Sequence, residues 1–351
     1  MRYAYVGCRT TKERNARGEG LSTYEILPDG SWKLLQCLNT EPNPSYQTLD
    51  RTGNYLYSVH GDLTKVSAYR ILSDHTLEHL NTVDIGGKNP VDITVDADNR
   101  NVIVATLQGG TLYTIARNAG GSLGQVIAKY TYEGKEPGKV STIHQCLWDH
   151  KKNYLFACAQ GRVNGFGQMR CLRYDHETGS FAQTDRFLSR TWDEPRHAAV
   201  HPNNRWVYMC EEKGNKVLFF RFDDETGKME ALQELSTVPE TVTGYSDASE
   251  VMVDPSGRFV LVSNRYTDSI AVYRIDPLTG YLRTNGFFSC LGKTPRFFCF
   301  GPEGKCFVAN EDSDTIIEFV FDSMTGQLTA TGNVVQTGSP VCIVFAEEES
   351  T

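Results

Sequence analysis

The stretch SDASEVMVDPSGRFVLVSNRYTDSIAVYRIDPLTG, residues 246–280, contains three short strand patterns joined by two turns. The segment 248–255 is rich in Val and ends in an Asp-Pro-Ser-Gly turn, and the run 260–265 is apolar until its last polar residues. In the third segment, 269–275, apolar residues alternate with others, which is the two-residue period of a strand. The following DPLTG is typical of a hairpin turn, so a fourth strand should come next.

The same pattern recurs along the whole chain. Its apolar second segments end at seven positions that are 46 to 53 residues apart, namely Arg9, Gly61, Gln108, Gln160, Glu212, Arg265 and Glu311. Repeats of this length, with about four short strands each, are typical of propeller blades. We therefore predict an all-β, seven-bladed β-propeller that forms a single domain over residues 1–351.

The two ends of the chain predict how the ring closes. The N-terminus starts with a second-type segment, RYAYVGCR (2–9), and no first-type segment precedes it. The C-terminus ends with a first-type segment, SPVCIVFAE (339–347), and no second-type segment follows it. One blade is therefore predicted to combine N-terminal strands with a C-terminal strand, which would leave no open sheet edge in the ring.

Composition and charge argue against several classes of protein. Hydrophobic residues make up 40% of the chain and charged residues 22%, as in ordinary soluble proteins. The formal net charge of −8 argues against general binding to nucleic acid or to an anionic membrane. No apolar run reaches membrane length, and the ten cysteines form no Cys-x-x-Cys pair. We expect a cytoplasmic protein that is a monomer or a weak homo-oligomer.

Polar residues occupy positions that would face the axis of such a propeller. The residue after Pro, or its equivalent, in each first segment is Ser45, Val91, His144, Arg196, Ser249, Arg296 or Val341. Neighbouring positions and the ends of second segments add Arg9, His197, Glu212, Glu250, Arg265 and Glu311. Charged groups are rarely buried unless they are paired or functional, so the set predicts either ion pairs between blades or a binding site. Four arginines would suit an anionic ligand, because a guanidinium matches carboxylate and phosphate in bidentate geometry.

The chain resembles the lactonase family of seven-bladed propellers, which includes bacterial 6-phosphogluconolactonases and fungal carboxy-muconate cyclases. The matching stretches are YVG (5–7), NPSYQTLD (43–50) with YLYSVHG (55–61), PRHAAVHPNNRWVYMCEE (195–212), the stretch 246–280 and GKTPRFFCFGPEGKCFVAN (292–310). The resemblance extends over residues 3–346, and it implies a site at His144, Arg196, Glu212 and Arg265. The chain departs from the family at Ala159, where members often carry Asp, and in ATLQGG (105–110), where an Asn-Tyr pair is commoner.

The chemistry of these side chains suggests a role for each. His144 has an ordinary pKa suited to taking a proton from water, and Arg196 could stabilise an oxyanion or hold an acidic group. Glu212 would orient His144 or carry a proton to the ring oxygen of a lactone. These three are the predicted catalytic residues. The predicted substrate-binding residues are Arg265, Arg296, Arg9, His197 and Glu311.

Three functions remain open at this point. The favoured one is hydrolysis of a sugar-acid lactone, of the 6-phosphogluconolactonase type, with a small anionic or sugar-acid substrate, no cofactor and no metal. A carboxy-muconate-type cycloisomerase would use the same residues but deliver a proton to carbon. A non-catalytic binding module is the third, and it would favour exposed apolar or aromatic residues around the mouth of the ring.

Overall fold

The computed structural model describes residues 2–347, and this part of the chain folds into 28 strands, numbered β1 to β28 in chain order. The strands form seven four-stranded sheets, and their pairing is antiparallel. Each sheet corresponds to one repeat of the sequence. The prediction of an all-β, seven-bladed propeller is therefore confirmed.

Every blade has four strands in the same order outward from the axis. The innermost strands are β4 (Pro44–Leu49), β8 (Pro90–Val95), β12 (Ile143–Trp148), β16 (Pro195–Val200), β20 (Asp247–Val253), β24 (Pro295–Phe300) and β28 (Pro340–Glu347). The second strands are β1 (Arg2–Cys8), β5 (Tyr55–His60), β9 (Asn101–Thr106), β13 (Tyr154–Ala159), β17 (Trp206–Glu211), β21 (Phe259–Arg265) and β25 (Lys305–Asn310). The third strands are β2 (Leu21–Ile26), β6 (Lys65–Ile71), β10 (Thr111–Arg117), β14 (Gln168–Tyr174), β18 (Lys216–Asp223), β22 (Ser269–Ile275) and β26 (Thr315–Phe321). The outer strands are β3 (Trp32–Leu38), β7 (Leu77–Asp84), β11 (Leu123–Thr131), β15 (Phe181–Leu188), β19 (Lys228–Ser236), β23 (Leu282–Ser289) and β27 (Leu328–Gln336).

The inner strands contact one another in a closed series, β28–β4–β8–β12–β16–β20–β24–β28, which is the ring itself. The second strands are the most buried, and every residue of β9, β13 and β21 is buried. Side chains of the outer strand β11 instead alternate between core and solvent. The apolar cores consequently lie between neighbouring blades, which explains why the second segments are almost continuously apolar in the sequence.

The first blade joins the two ends of the chain. Its strand order is β28-β1-β2-β3, so the C-terminal strand is the innermost strand of a blade whose other three strands come from the N-terminus. Strand β28 pairs with β1 from Arg2↔Glu347 to Cys8↔Pro340. The predicted closure of one blade by both ends of the chain is confirmed.

The same turn geometry recurs after several inner strands, and it comes from aspartate side chains. Asp254, at the end of the inner strand in the stretch 246–280, accepts hydrogen bonds at Oδ1 from the backbone N–H of Arg258 at 2.8 Å and of Phe259 at 2.7 Å. Asp50, Asp96 and Asp149 do the same in blades two, three and four. These Asx-type turns fix how each second strand returns along its inner strand, and so fix the register that aims the axial side chains.

His60, the last residue of β5, provides a test of how the fold responds to acid. Its ring is fully buried, with Nδ1 2.9 Å from the carbonyl oxygen of Glu41 and Nε2 2.8 Å from Ser67 Oγ. Burial lowers the pKa of His60 from its usual 6.5 to about 4. Between these two values the unfolded chain binds a proton that the native protein does not, so the free energy of unfolding falls as the pH falls through this window.

We expect His60→Gln to remove part of this acid sensitivity. The lowered pKa of His60 reduces the free energy of unfolding by about 3 kcal/mol across this pH window, because one pKa unit corresponds to about 1.4 kcal/mol. The measurement is the Tm of both proteins by circular dichroism from pH 7 to pH 4. The variant should lose less Tm over this range than the native protein, since all other titrating groups are common to both. Equal losses would show that His60 does not contribute.

Candidate active site

An irregularity in strand pairing at the start of every inner strand turns one side chain toward the axis. In five blades the register with the second strand skips a single residue, and these residues are Ser45, Val91, His144, Arg196 and Arg296. In the first blade the skipped residue is Val341, and in blade six the irregularity covers Ser249 and Glu250. A bulge of this kind takes a residue out of the ladder and re-aims its side chain.

These residues meet in a cavity on the axis. All seven inner strands contribute to its lining, which consists of Ser45, Tyr46, Val91, His144, Arg196, His197, Glu250, Arg296, Phe297 and Val341, together with Arg9. Its volume of about 20 Å³ is room for one water molecule. In place of an open funnel, the described structure has a narrow cavity, because long polar side chains extend across the axis and bond to each other.

Arg196 is the centre of the polar network. Its Nη1 donates to His144 Nε2 at 2.7 Å and to Glu212 Oε2 at 2.8 Å, while its Nε donates to the carbonyl oxygen of Ser249 at 3.0 Å. Arg196 lies on blade five, His144 on blade four and Ser249 on blade six. One guanidinium therefore links three neighbouring blades and holds His144 in place.

The protons of the two histidines follow from this geometry. Since a guanidinium only donates, His144 Nε2 must accept, and the Nδ1–H of neutral His144 then donates to His197 Nε2 at 3.0 Å. His197 Nδ1–H in turn donates to Glu250 Oε1 at 2.9 Å. Burial, followed by the charge of Arg196, lowers the pKa of His144 well below its usual range, so the ring is neutral near pH 7. The result is a series of hydrogen bonds in which Arg196 donates to His144, His144 donates to His197, and His197 donates to Glu250.

Glu212 lies behind Arg196 and holds two arginines. Its Oε1 lies 3.0 Å from Arg265 Nη2, and Gln160 Nε2 donates to its Oε2 at 2.5 Å. Burial alone would raise the pKa of Glu212, but the charges of Arg265 and Arg196 outweigh burial and hold that pKa far below its usual value. Glu212 is therefore a carboxylate, and its connection to His144 runs through Arg196.

The arginines differ in how their charges are balanced. Arg265 contacts Glu212 and also has Nη2 3.7 Å from Asp247 Oδ2. Arg296 Nη1 lies 3.4 Å from Glu311 Oε2. Arg9 is buried at the cavity wall, and its guanidinium forms no hydrogen bond or ion pair with any residue from 2 to 347.

The eight predicted site residues thus lie in one region. His144, Arg196, His197, Arg296 and Arg9 line the cavity, whereas Glu212, Arg265 and Glu311 form ion pairs around it. The sequence analysis placed Glu250 beside the axial position of an inner strand but assigned it no role in the site. In blade six Glu250 lines the cavity, while Ser249 bonds to the backbone of Arg296.

Three exposed aromatic side chains lie at the same end of blades five and six. Trp192 and Tyr245 lie in loops before inner strands, Tyr266 directly follows β21, and all three are more than half exposed. The rings of Tyr245 and Tyr266 contact each other at 4.9 Å. Exposed aromatic residues are the feature expected of a binding module. Because they occur here together with the charged axis, they favour neither the enzyme nor the binding module.

Comparison with known proteins identifies the family. Residues 3–345 match the family model described as lactonase, seven-bladed β-propeller. The chain belongs to this lactonase family. A protein of Bacillus subtilis named 6-phosphogluconolactonase is 28% identical, with 98% of each chain covered. A 6-phosphogluconolactonase of Formosa agariphila is 26% identical over 92% of this chain and 94% of its own.

A solved structure resembles this lactonase-family chain closely. The periplasmic gluconolactonase of Pseudomonas aeruginosa superimposes with a TM-score of 0.88, is 26% identical and covers 99% of both chains. Ala159, where the chain departs from the family, lies at the end of β13 in blade four, the blade that carries His144. Ala159 is fully buried, and the next residue, Gln160, supplies the polar group that contacts Glu212.

Proposed function

We propose that the protein is a lactonase that hydrolyses the ring ester of a sugar-acid lactone, as the 6-phosphogluconolactonases named among its relatives do. The observation that carries the proposal is the placement of Arg196 Nη1 between His144 Nε2 and Glu212 Oε2 on the axis. A neutral imidazole and a guanidinium at one point are the base and the oxyanion donor that ester hydrolysis requires.

The first step is attack by water. When the lactone binds, Arg196 Nη1 exchanges its bond to His144 for one to the carbonyl oxygen, which frees the lone pair of His144 Nε2. His144 takes a proton from water while the water oxygen bonds to the carbonyl carbon. The electron pair of the carbonyl moves onto oxygen, and Arg196 stabilises that negative charge.

The second step opens the ring. The carbonyl re-forms, the bond between its carbon and the ring oxygen breaks, and the ring oxygen takes the proton from His144 Nε2. The product is a hydroxy acid, which loses its carboxyl proton to solvent. Since Glu212 stays ionised between two arginines, we assign it the role of orienting Arg196, and His144 serves as both base and acid.

His197 and Glu250 support the imidazolium that forms between the two steps. The bonds from His144 Nδ1 to His197 and from His197 Nδ1 to Glu250 fix the tautomer in which Nε2 faces the substrate. The Glu250 carboxylate also places a negative charge at the end of the chain. In the Ser-His-Asp triad a buried carboxylate bonds directly to the catalytic histidine, whereas here Glu250 acts on His144 through His197.

A pH-indicator assay of the purified protein against aldonolactones, with and without a phosphate group, tests the proposal. We expect turnover well above spontaneous hydrolysis, and unchanged turnover with EDTA, because residues 2–347 contain no group of three or more His, Cys, Asp or Glu placed to hold a metal. No acceleration on any aldonolactone would overturn the lactonase. Ring closure of a carboxylated muconate in a parallel assay would instead support the cycloisomerase.

We further propose that the protein works in the cytoplasm on a small sugar acid, without nucleic-acid or membrane partners. All ten cysteines are free, and nine of them are buried, which suits a reducing compartment. Across residues 2–347 no helix has the length and apolarity needed to cross a membrane. Because the Pseudomonas aeruginosa relative is periplasmic, cell fractionation is the deciding measurement.

A further inference from the structure

Arg9 is a buried charge without a partner. It follows β1, its side chain lines the axial cavity, and only 4% of the residue is exposed. Its Nε and Nη1 are buried, and no residue between 2 and 347 accepts a hydrogen bond from either atom. Leaving a buried ion uncompensated costs several kcal/mol. Arg196, Arg265 and Arg296 differ from Arg9 in that each pairs with a carboxylate.

The surroundings of Arg9 include a further donor without a partner. Ser45 Oγ, on the inner strand of blade two, is also buried without a hydrogen-bond partner. Both groups lie against Gly61, where an added Cβ would stand 2.2 Å from Arg9 Nη1 and 2.9 Å from Ser45 Oγ. The missing side chain at position 61 is therefore what allows the guanidinium to lie beside the hydroxyl.

A second guanidinium lies close to Arg9. Arg296 also lines the cavity, and its pairing with Glu311 leaves one carboxylate for two guanidinium groups on this side. Burial, followed by the charge of Arg296, lowers the pKa of Arg9 to about 10 against the opposing charges of Glu311 and Asp62, and burial lowers the pKa of Arg296 to about 10 in spite of Glu311. Both remain protonated near neutral pH, so both can donate to an oxyanion.

We propose that Arg9, Ser45 and Arg296 form an oxyanion subsite that binds the acidic group of the substrate, a phosphate or a carboxylate. The identity of the occupant as substrate rests on the proposed lactonase function. Arg196 and Arg265 are not part of this subsite, because both are held in ion pairs with Glu212. The acidic group enters from the side where Arg296 is 21% exposed, and the side chains that close the narrow cavity move to admit it together with the lactone carbonyl.

Calorimetric titration with inorganic phosphate tests the subsite directly. We expect the Kd for phosphate to rise about tenfold to hundredfold in Arg9→Met, since a hydrogen bond to a charged group contributes that much. Arg9→Lys keeps the charge but loses the planar fork of donors. Its Kd for phosphate should therefore lie between those of the native protein and Arg9→Met. Arg221→Met is the matched control, because Arg221 is exposed and pairs with Glu230 on the outer side of blade five. Native affinity in Arg9→Met would overturn the subsite.

Kinetics then distinguish the source of the oxyanion. The quantity to compare is kcat/KM for a lactone that carries a phosphate group divided by kcat/KM for the same lactone without one. This ratio should be about tenfold or more lower in Arg9→Met than in the native protein. An unchanged ratio would refute recognition of the substrate by Arg9. Loss of phosphate binding in a protein that turns over no lactone would support the subsite and refute the lactonase. The Tm of Arg9→Met should equal or exceed that of the native protein, whereas a structural role predicts a lower Tm.

Discussion

Removal of residues 339–351 is expected to unfold the protein. This deletion takes away β28, the inner strand of the first blade, and with it the pairing to β1 and the contacts to β4 and β24. Val341 and Ile343 are buried, and burial of each such side chain contributes about 1.5–3 kcal/mol. A whole domain has a stability of about 5–15 kcal/mol. Loss of this strand, together with exposure of the inner edge of β1, is therefore expected to exceed the stability of the ring.

Thermal unfolding by circular dichroism, together with size-exclusion chromatography, measures the effect. The matched control is deletion of 348–351 alone, which keeps all of β28 and should have the native Tm. We expect the longer deletion to give an aggregated or unfolded product without a cooperative transition. A cooperative transition at the native Tm would show that a ring of six complete blades stands without its closing strand.

His144→Ala is expected to lower kcat by about 10²- to 10⁴-fold on a lactone substrate, which is the usual effect of removing a positioned acid–base group. The variant also leaves Arg196 Nη1 and His197 Nε2 without their shared partner. If the residues act as one unit, the double variant with Glu212→Gln should lose less activity than the product of the two single losses.

Stopped or continuous indicator assays at saturating lactone measure kcat, and circular dichroism checks that each variant is folded. His79→Ala is the matched control, because His79 is an exposed histidine on the outer strand β7 and should leave kcat unchanged. Native turnover by a folded His144→Ala protein would remove His144 from the mechanism. The histidine would then be only one link in the hydrogen-bond chain between blades four and five.

The ring and its axial positions could be predicted from sequence because local signals mark them. Pro at the start of an inner segment coincides with the strand start in β4, β8, β16, β24 and β28, and the next residue is the one that the bulge turns inward. An unmatched segment at each end of the chain predicts the shared blade. Both inferences need only the pattern within one repeat.

The pairing of the axial side chains could not be predicted in this way. Arg196 can reach groups on blades four, five and six, and a spacing of about fifty residues does not decide among them. That Glu212 neutralises two arginines while Arg9 has no partner depends on distances of a few ångströms across the axis. Glu250 stands beside an axial position in the sequence, but its bond to His197, which gives it a role, also depends on such distances.

The bulges also make the centre of this propeller open to redesign. A residue that stands outside the ladder has no cross-strand partner to satisfy, so exchanging it changes what the axis offers without disturbing the register of its blade. Val91 and Val341 occupy two such positions and contribute only apolar surface at present. New specificities can therefore arise in evolution, or be engineered, by single substitutions at these two sites, while the other five blades keep their chemistry.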